Sequence, residues 1–320
     1  MPEGHRLSAP ELSIVIPCFN EIDNVAAITQ AVSIEAETYA CSHEIILIDN
    51  GSTDGTRAAI RAICAADPRV RAIFNTRNFG QMRSPTHGIY QARGRAVIGM
   101  CADFQDPPEL IRDFMRHWRA GMKIVLGQRR SERTTWLHGA LRRGAYAAIA
   151  RIADHPPLPE VTGFGLYDRC VVDQLARWNE PEPFFRGMLV ESGWAITLIP
   201  FDRPERAAGE SKNDARALLG FALSALSGST RQLLRLPLAL ALASGAGAAL
   251  LALAGVIAAL YGDPLGWPLL GCGVAAAMFA LVMLALGLIG DQVRLIAERL
   301  RGVPLVIEEQ RINFPESPGA

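Results

Sequence analysis

The stretch that decides the fold runs from Ala96 to Glu109 and reads AVIGMCADFQDPPE. It opens with an apolar run, and an amphipathic run, LIRDFMRHW, follows it from Leu110. This order predicts a strand, an acidic turn and a helix. Ligands in open α/β sheets bind beyond the carboxyl ends of the strands, where this turn lies. The turn is therefore the first candidate for a binding site.

Two residues of the acidic turn, Asp103 and Gln105, are predicted to hold a metal ion. They are two positions apart, so on an extended segment their side chains point the same way. Two hard oxygen ligands suit Mg²⁺ or Mn²⁺ carrying a diphosphate. Asp106 and Glu109 have a structural explanation, because Asp106 before a proline, with Glu109 three residues later, is typical of a capping box. We therefore assign Asp106 and Glu109 mainly to structure.

Strands and helices are predicted to alternate along the first two thirds of the chain. We expect strands at 12–17, 44–49, 70–74, 96–100, 123–127, 161–167 and 195–199. Helices are expected at 24–37, 110–118, 168–178 and 181–191, and a further helix after residue 80 is expected to end near residue 92. This alternation indicates βαβ units and an α/β fold with a mainly parallel sheet. No G-x-G-x-x-G follows the first strand and no P-loop motif is present, which argues against a dinucleotide oxidoreductase and a P-loop NTPase.

The turn after the second predicted strand, NGSTDGT at 50–56, allows two interpretations. Its glycines supply unusual backbone angles and its Ser, Thr and Asp side chains can cap the next helix, so it is a well-made turn in either case. The functional interpretation places Asp49 at the strand end, where it accepts hydrogen bonds from a nucleoside. A second acidic turn, at Asp103, favours the functional interpretation.

Arginines follow the strand predicted at 123–127. Planar guanidinium groups suit bidentate contact with phosphate oxygens, and a solvated basic face is the alternative explanation. Arg129 is nearest the strand end and is our preferred phosphate contact; Arg142 and Arg143 are further candidates.

Composition limits the remaining classes of function. The chain has 32 basic and 32 acidic residues, which gives no support for nucleic-acid binding. Its six cysteines form no C-x-x-C pair and are expected to be reduced thiols. Residues 1–11 are polar, so we predict a disordered N-terminus and no secretory signal.

Two long apolar stretches near the C-terminus predict a transmembrane hairpin. Residues 236–260 carry no charge, 261–266 form a tight loop, and 267–289 are a second span. Arginines flank both outer ends and are absent from the loop, which predicts that both termini and the preceding domain are cytoplasmic. Residues 214–230 are predicted to lie along the lipid headgroups. Small residues in the spans are compatible with a homo-oligomer, such as a tetramer, and equally with packing inside the hairpin.

Three motifs, VIP with NE at 15–21, DNGSTD at 49–54 and ADFQDPPE at 102–109, resemble those of family 2 glycosyltransferases. With RNFG at 77–80 and the two spans, the similarity is to the polyprenyl-phosphate glycosyltransferase group, which includes dolichol-phosphate-mannose synthase and glucosyl-undecaprenyl-phosphate synthase. The resemblance covers about residues 12–310. It implies a GT-A (Rossmann-like) domain at 12–212, a juxtamembrane helix at 213–232, two transmembrane helices at 233–290, and a C-terminal helix and tail at 291–320.

The resemblance also implies an inverting transfer of one sugar at the cytoplasmic face of the bacterial inner membrane. The donor would be a UDP- or GDP-linked sugar, and the acceptor a polyprenyl (undecaprenyl-type) phosphate. Asp103 and Gln105 would hold Mg²⁺ or Mn²⁺ and Arg129 would contact phosphate. The donor pocket would be lined by Pro17, Asn20, Glu21, Asp49 and Cys101, with Arg142 and Arg143 nearby.

Two departures from the family pattern leave alternatives open. Cys101 stands where many relatives have an acidic residue, and a thiol is a poor ligand for Mg²⁺. Gly163-Phe164-Gly165 stands where relatives commonly show an acidic-Phe-Arg triplet. These departures are compatible with a subgroup that has a different donor or reduced activity, and they slightly favour a non-catalytic relative that binds a nucleotide sugar or acts as a scaffold. The intact Asp49, Asp103 and Gln105 favour the enzyme more. A saccharide-acceptor synthase is disfavoured, because its usual Q-x-x-R-W motif and additional spans are absent from the sequence.

Overall fold

The computed structural model describes residues 9–130, 158, 160–202, 204, individual positions between 271 and 300, and 302–315. Arg142, Arg143, the predicted juxtamembrane helix and the first predicted span lie outside the described residues. Within the second predicted span, the described positions from 271 onward are helical.

The described elements follow the predicted alternation closely. The strands are β1 (Leu12–Cys18), β2 (His43–Asp49), β3 (Val70–Asn75), β4 (Ala96–Gly99), β5 (Ile124–Arg129), β6 (Val161–Asp168), β7 (Ile196–Phe201) and β8 (Glu308–Ile312). The helices are α1 (Val25–Tyr39), α2 (Thr56–Ala66), α3 (Gly80–Gln91), α4 (Leu110–Arg119), α5 (Arg169–Ala176) and α6 (Phe185–Glu191).

The strands form one mixed sheet in the order β7-β5-β6-β4-β1-β2-β3-β8. The central strands β4, β1, β2 and β3 are parallel, and so are β5 and β7. β6 runs antiparallel between β4 and β5, and β8 runs antiparallel on β3. The predicted α/β fold is confirmed, with a sheet that is mixed rather than purely parallel.

Both faces of the central strands are buried, which explains why those strands are apolar runs. In β1, Ile14 and Ile16 pack into a cluster with α1, α2 and α4, whereas Val15 packs on the other face with α3, α5 and α6. Each fully buried side chain of this kind contributes about 1.5–3 kcal/mol. The two clusters hold the strand ends, and therefore the loops that follow them, in fixed positions.

Predictions at the two ends of the chain need correction. Glu11, predicted to be disordered, accepts a hydrogen bond from the Cys41 backbone N–H at 2.7 Å and pairs with Arg119 at 3.0 Å. In the C-terminal segment, predicted as a helix and tail, the described positions between 292 and 300 are helical, and the tail contributes the strand β8 at the edge of the sheet. Its sequence, EEQRI, is mostly polar because an edge strand gains its ladder bonds from one partner and leaves much of its surface in water.

No helix made of the described residues is both long and apolar enough to cross a membrane. Most of the predicted hairpin falls outside those residues, so it stays a prediction.

Candidate active site

A cavity of about 510 Å³ opens at the carboxyl ends of β1 and β4. Its wall is formed by the end of β1, the turn after β4, the first turns of α3, the end of β5, the start of β6 and the start of α6. This is the edge of the sheet where the sequence predicts ligand binding. Of the predicted site residues, the cavity is lined by Pro17, Glu21, Cys101, Asp103, Gln105 and Arg129.

Asp103 and Gln105 reach the cavity through a turn and not through an extended segment. β4 ends at Gly99, and Phe104 has a φ of 60°, in the left-handed region. The Gln105 backbone N–H donates to Asp103 Oδ1 at 3.2 Å, and Asp103 is 5% exposed. The reasoning from strand alternation is therefore wrong, although both side chains line one cavity as expected. A carboxylate and an amide oxygen together fit Mg²⁺ or Mn²⁺.

Asp106 closes the acidic turn instead of capping the helix. Its Oδ2 accepts a hydrogen bond from the Cys101 backbone N–H at 2.8 Å. α4 begins at Leu110, after Glu109, and no side chain caps its N-terminus. Leu110 N–H bonds instead to the Pro107 carbonyl at 3.2 Å, so the two prolines form a turn of their own. The predicted capping box is wrong, while the structural assignment of Asp106 agrees with its 3% exposure.

Cys101 lines the cavity beside these oxygen ligands and is solvent-exposed. A thiol offers Mg²⁺ a soft and weak ligand. Among the residues that the structure describes, no three His, Cys, Asp or Glu side chains are grouped to hold a metal ion.

The loops after β1 and β2 are joined by hydrogen bonds between side chains and backbone. Asn20 N–H donates to Ser52 Oγ at 2.9 Å, and Thr53 N–H donates back to Asn20 Oδ1 at 2.8 Å. Glu21 N–H donates to Thr56 Oγ1 at 2.8 Å. Asn20 adopts a φ of 56° and is not among the described residues that line the cavity. These bonds place Glu21 at the cavity wall.

Asp54 secures the same pair of loops. Its carboxylate accepts hydrogen bonds from the backbone N–H groups of Thr56 at 3.0 Å and Ile22 at 3.3 Å. Burial acts to raise the pKa of Asp54, but the hydrogen bonds from Thr56 and Ile22 lower it by more than burial raises it. The pKa of Asp54 is therefore below its usual range. The carboxylate is therefore ionised at neutral pH and acts as a fixed acceptor.

Asp49 lies behind the cavity wall. Its carboxylate is fully buried, accepts from the backbone N–H groups of Gly51 at 3.2 Å and Ser52 at 3.3 Å, and pairs with Arg57 Nε at 3.1 Å. These contacts bear out the structural interpretation of the turn. A hydrogen bond from Asp49 to a nucleoside stays a prediction.

Arg129 is the last residue of β5 and lines the cavity, as predicted. A second arginine, Arg186 of α6, also lines it and was missed from the sequence. Its Nη1 donates to the Val161 carbonyl at 2.6 Å, and its guanidinium lies 5.3 Å from the centre of the Phe184 ring. A Cβ added at Gly163 would lie 3.7 Å from Arg186 Cγ, so the arginine stem covers this glycine. The signal that could have revealed it is a single cation inside the apolar run Phe184–Val190.

The described residues form an α/β domain with a cavity at the carboxyl edge of its sheet. The family model described as glycosyl transferase family 2 matches residues 13–175, and the chain belongs to this family. It is a glycosyltransferase.

Several relatives match most of the chain. An uncharacterized glycosyltransferase of Synechocystis is 34% identical over 68% of this chain and 68% of its own. The uncharacterized glycosyltransferase YkcC of Bacillus subtilis is 29% identical over 94% of each chain. A prophage bactoprenol glucosyl transferase homolog of Escherichia coli is 32% identical over 68% of this chain and 71% of its own. Among solved structures, glucosyl-3-phosphoglycerate synthase from Mycobacterium tuberculosis covers 68% of this chain and 77% of its own, with 19% identity and a TM-score of 0.46.

Proposed function

We propose that this glycosyltransferase moves one sugar from a nucleotide-diphosphate sugar to a polyprenyl phosphate, with inversion at the anomeric carbon. The observation that carries the proposal is the shared cavity. Asp103 and Gln105 line one part of it, and Arg129 and Arg186 also line it. Oxygen ligands and guanidinium groups in one cavity suit a reaction between two phosphate-bearing substrates.

The donor diphosphate is assigned to the acidic turn. Asp103 and Gln105 are the residues that would hold Mg²⁺ or Mn²⁺, and the ion would supply positive charge where the leaving diphosphate becomes more negative. Asp103 is held by the Gln105 N–H and by the turn that Asp106 closes, so it needs little rearrangement to act.

The acceptor phosphate is assigned to the arginines. A phosphate monoester is already an anion near neutral pH, so its oxygen can attack the anomeric carbon without a general base. The new C–O bond forms on the face opposite the departing diphosphate, which accounts for inversion. Arg129 and Arg186 would orient the attacking phosphate and reduce its repulsion from the diphosphate.

The choice of a polyprenyl acceptor is supported by the named relatives. The Escherichia coli prophage homolog, at 32% identity, and the enzyme of Shigella phage SfV, at 33%, are bactoprenol glucosyl transferases by name. Glucose is therefore the first sugar to test. The same test distinguishes uridine from guanosine as the donor nucleoside.

The test uses purified full-length protein in detergent with radiolabelled UDP-glucose, other UDP- and GDP-sugars, and undecaprenyl phosphate. We expect label in the lipid extract that depends on Mn²⁺ or Mg²⁺ and falls at least a thousandfold in Asp103→Ala. Asp173→Ala is the matched control, because this carboxylate lies on α5 and pairs with Arg169 at 3.3 Å. Nucleotide binding without transfer of any sugar would contradict the proposal.

A lipid acceptor requires the cavity to work beside a membrane, and we propose that residues 233–290 anchor it there as a two-span hairpin. Both termini and the sheet domain would then be cytoplasmic. Reporter fusions after Ala320 and within residues 262–266 test this topology. The first should report a cytoplasmic location and the second a periplasmic one; the same location for both would refute the hairpin.

A further inference from the structure

The strand β8 follows the predicted membrane segment in sequence and lies two strands from the end of β2, which is Asp49. One row across the sheet contains Asp49 of β2, Phe74 of β3 and Gln310 of β8. The segment before β8 is fixed to the same edge, since Thr76 N–H donates to the Ile307 carbonyl at 3.0 Å and Arg83 donates to the Pro304 carbonyl at 3.0 Å. The C-terminal segment is therefore built into the sheet.

A single side chain, Arg57 of α2, connects β8 to Asp49. Its Nη2 lies 2.7 Å from Glu309 Oε2, and its Nε lies 3.1 Å from Asp49 Oδ2. The Asn75 carbonyl accepts from the same Nη2 at 3.3 Å. Because the Asp49 carboxylate is fully buried, it needs this cation close by. Glu309 restrains the far end of the guanidinium and limits the rotamers that Arg57 can adopt.

The contacts continue from Asp49 to the cavity. Asp49 accepts from the backbone of Gly51 and Ser52, and the same loop bonds to Asn20 and Glu21. Glu21 lines the cavity. An unbroken series of contacts therefore runs from the C-terminal strand to the cavity wall.

We propose that β8 is a positioning element of the donor site: Glu309 orients Arg57, and Arg57 holds Asp49 and the 50–56 loop in the geometry that receives the nucleotide. This proposal rests on the proposed function, a transfer from a nucleotide-diphosphate sugar, and on the sequence-based prediction that the nucleoside binds on the Asp49 side of the cavity. Glu309 and Arg57 are positioning residues and touch no substrate.

The first test compares donor kinetics in the full-length protein. In Glu309→Gln we expect the KM for the nucleotide sugar to rise only about two- to fivefold, because the Glu309 side chain is half exposed, with kcat unchanged. Glu309→Asp should restore most of the loss. Arg57→Gln leaves a buried carboxylate without its cation, so its KM should rise at least tenfold.

Arg61 provides a matched control on the same helix. Its guanidinium bonds to Gln310 of β8 and lies 4.4 Å from the Phe74 ring centre, so Arg61→Gln loosens β8 without touching Asp49. The donor KM of Arg61→Gln should equal that of the wild type. An equal rise in Arg61→Gln and Glu309→Gln would overturn the proposal, because it would reduce the effect to general docking of β8.

A second measurement is independent of catalysis. Hydrogen exchange in the peptide spanning 50–56, which contains the Gly51 and Ser52 amides bound to Asp49, should be faster in Glu309→Gln and unchanged in Arg61→Gln. Unchanged exchange in Glu309→Gln overturns the inference whatever the substrate proves to be. If the exchange pattern is as expected but the protein binds no nucleotide sugar, the proposed function is refuted and the link from β8 to the 50–56 loop is retained.

Discussion

Gly165 offers a quantitative test of how the sheet is assembled beside the site. It lies in β6, opposite Gly99 of β4 and Leu126 of β5. A Cβ at Gly165 would lie 2.9 Å from Leu126 Cα and still closer to the Val125 carbonyl oxygen. These are backbone atoms, so β5 itself would have to move. We expect Gly165→Ala to lower the free energy of unfolding by about 3 kcal/mol, at the upper end of the cost of overpacking.

The cross-strand partner supplies the control. A Cβ at Gly99 would meet only the end of the Ile89 side chain, at 3.4 Å, with the Gly163 carbonyl 3.8 Å away. Gly99→Ala should therefore change the free energy of unfolding by less than about 1 kcal/mol, since loss of glycine flexibility in the unfolded chain offsets a small adjustment. Both variants replace the same residue type in neighbouring strands.

The assay is urea unfolding of the full-length protein in detergent, followed by tryptophan fluorescence. Trp118 is a suitable reporter because its Nε1 donates to Asp168 Oδ2, 2.8 Å away, at the end of β6. A midpoint for Gly165→Ala equal to that of Gly99→Ala would refute the pairing of β5 with β6. Gly165→Arg, which introduces the arginine of the family triplet, should be at least as destabilising as Gly165→Ala. Among the described residues Arg186 lines the cavity, whereas residue 165 does not and has no room for a side chain.

Two further predictions concern the metal and the C-terminal strand. Cys101→Asp adds a hard ligand to the cavity that Asp103 lines, so the Mg²⁺ concentration for half-maximal transfer should fall about tenfold. This is measured by titrating Mg²⁺ in the transfer assay, with Cys101→Ser as the neutral control. An unchanged midpoint would exclude residue 101 from the metal shell. For Glu308, burial acts to raise the pKa, but hydrogen bonds from His87 and Arg311 lower it from 4.5 to about 2. A depressed carboxyl pKa stabilises the folded state above pH 4.5, and this contribution, at most about 3 kcal/mol, is lost as the pH falls towards 2. Thermal midpoints of the wild type and Glu308→Gln should thus differ at pH 6 and converge progressively as the pH falls from 4.5 towards 2. A difference independent of pH would contradict the assignment.

The elements that could be predicted from the sequence are those whose burial is visible as an apolar run within the element itself. β1 and β2 are apolar runs because both of their faces are covered, and their predicted bounds hold within one residue. β8 was not predicted, because it is stabilised by pairing with β3 and by contacts with Arg57, Arg61 and His87. These partners are distant in the sequence, and the segment EEQRI alone gives no sign of them. Arg186 was missed for a similar reason. An arginine in a helical run is usually a surface residue, and the tertiary contacts of this one, with the Val161 carbonyl and the Phe184 ring, are not visible in the sequence.

The acidic turn shows how two residues can line the same cavity although the local argument that predicted it is wrong. Extended backbone would have aligned Asp103 with Gln105, but Phe104 between them is left-handed, a conformation that costs a non-glycine residue about 1–2 kcal/mol. Phe104 is partly buried against the core cluster that contains Met100, Ala102 and Ile111, and this burial offsets the strain. The packing of an apolar side chain thus fixes the positions of the two polar ones. Sequence spacing identifies Asp103 and Gln105 as candidate ligands, whereas their geometry depends on the core contact of Phe104, which no local pattern displays.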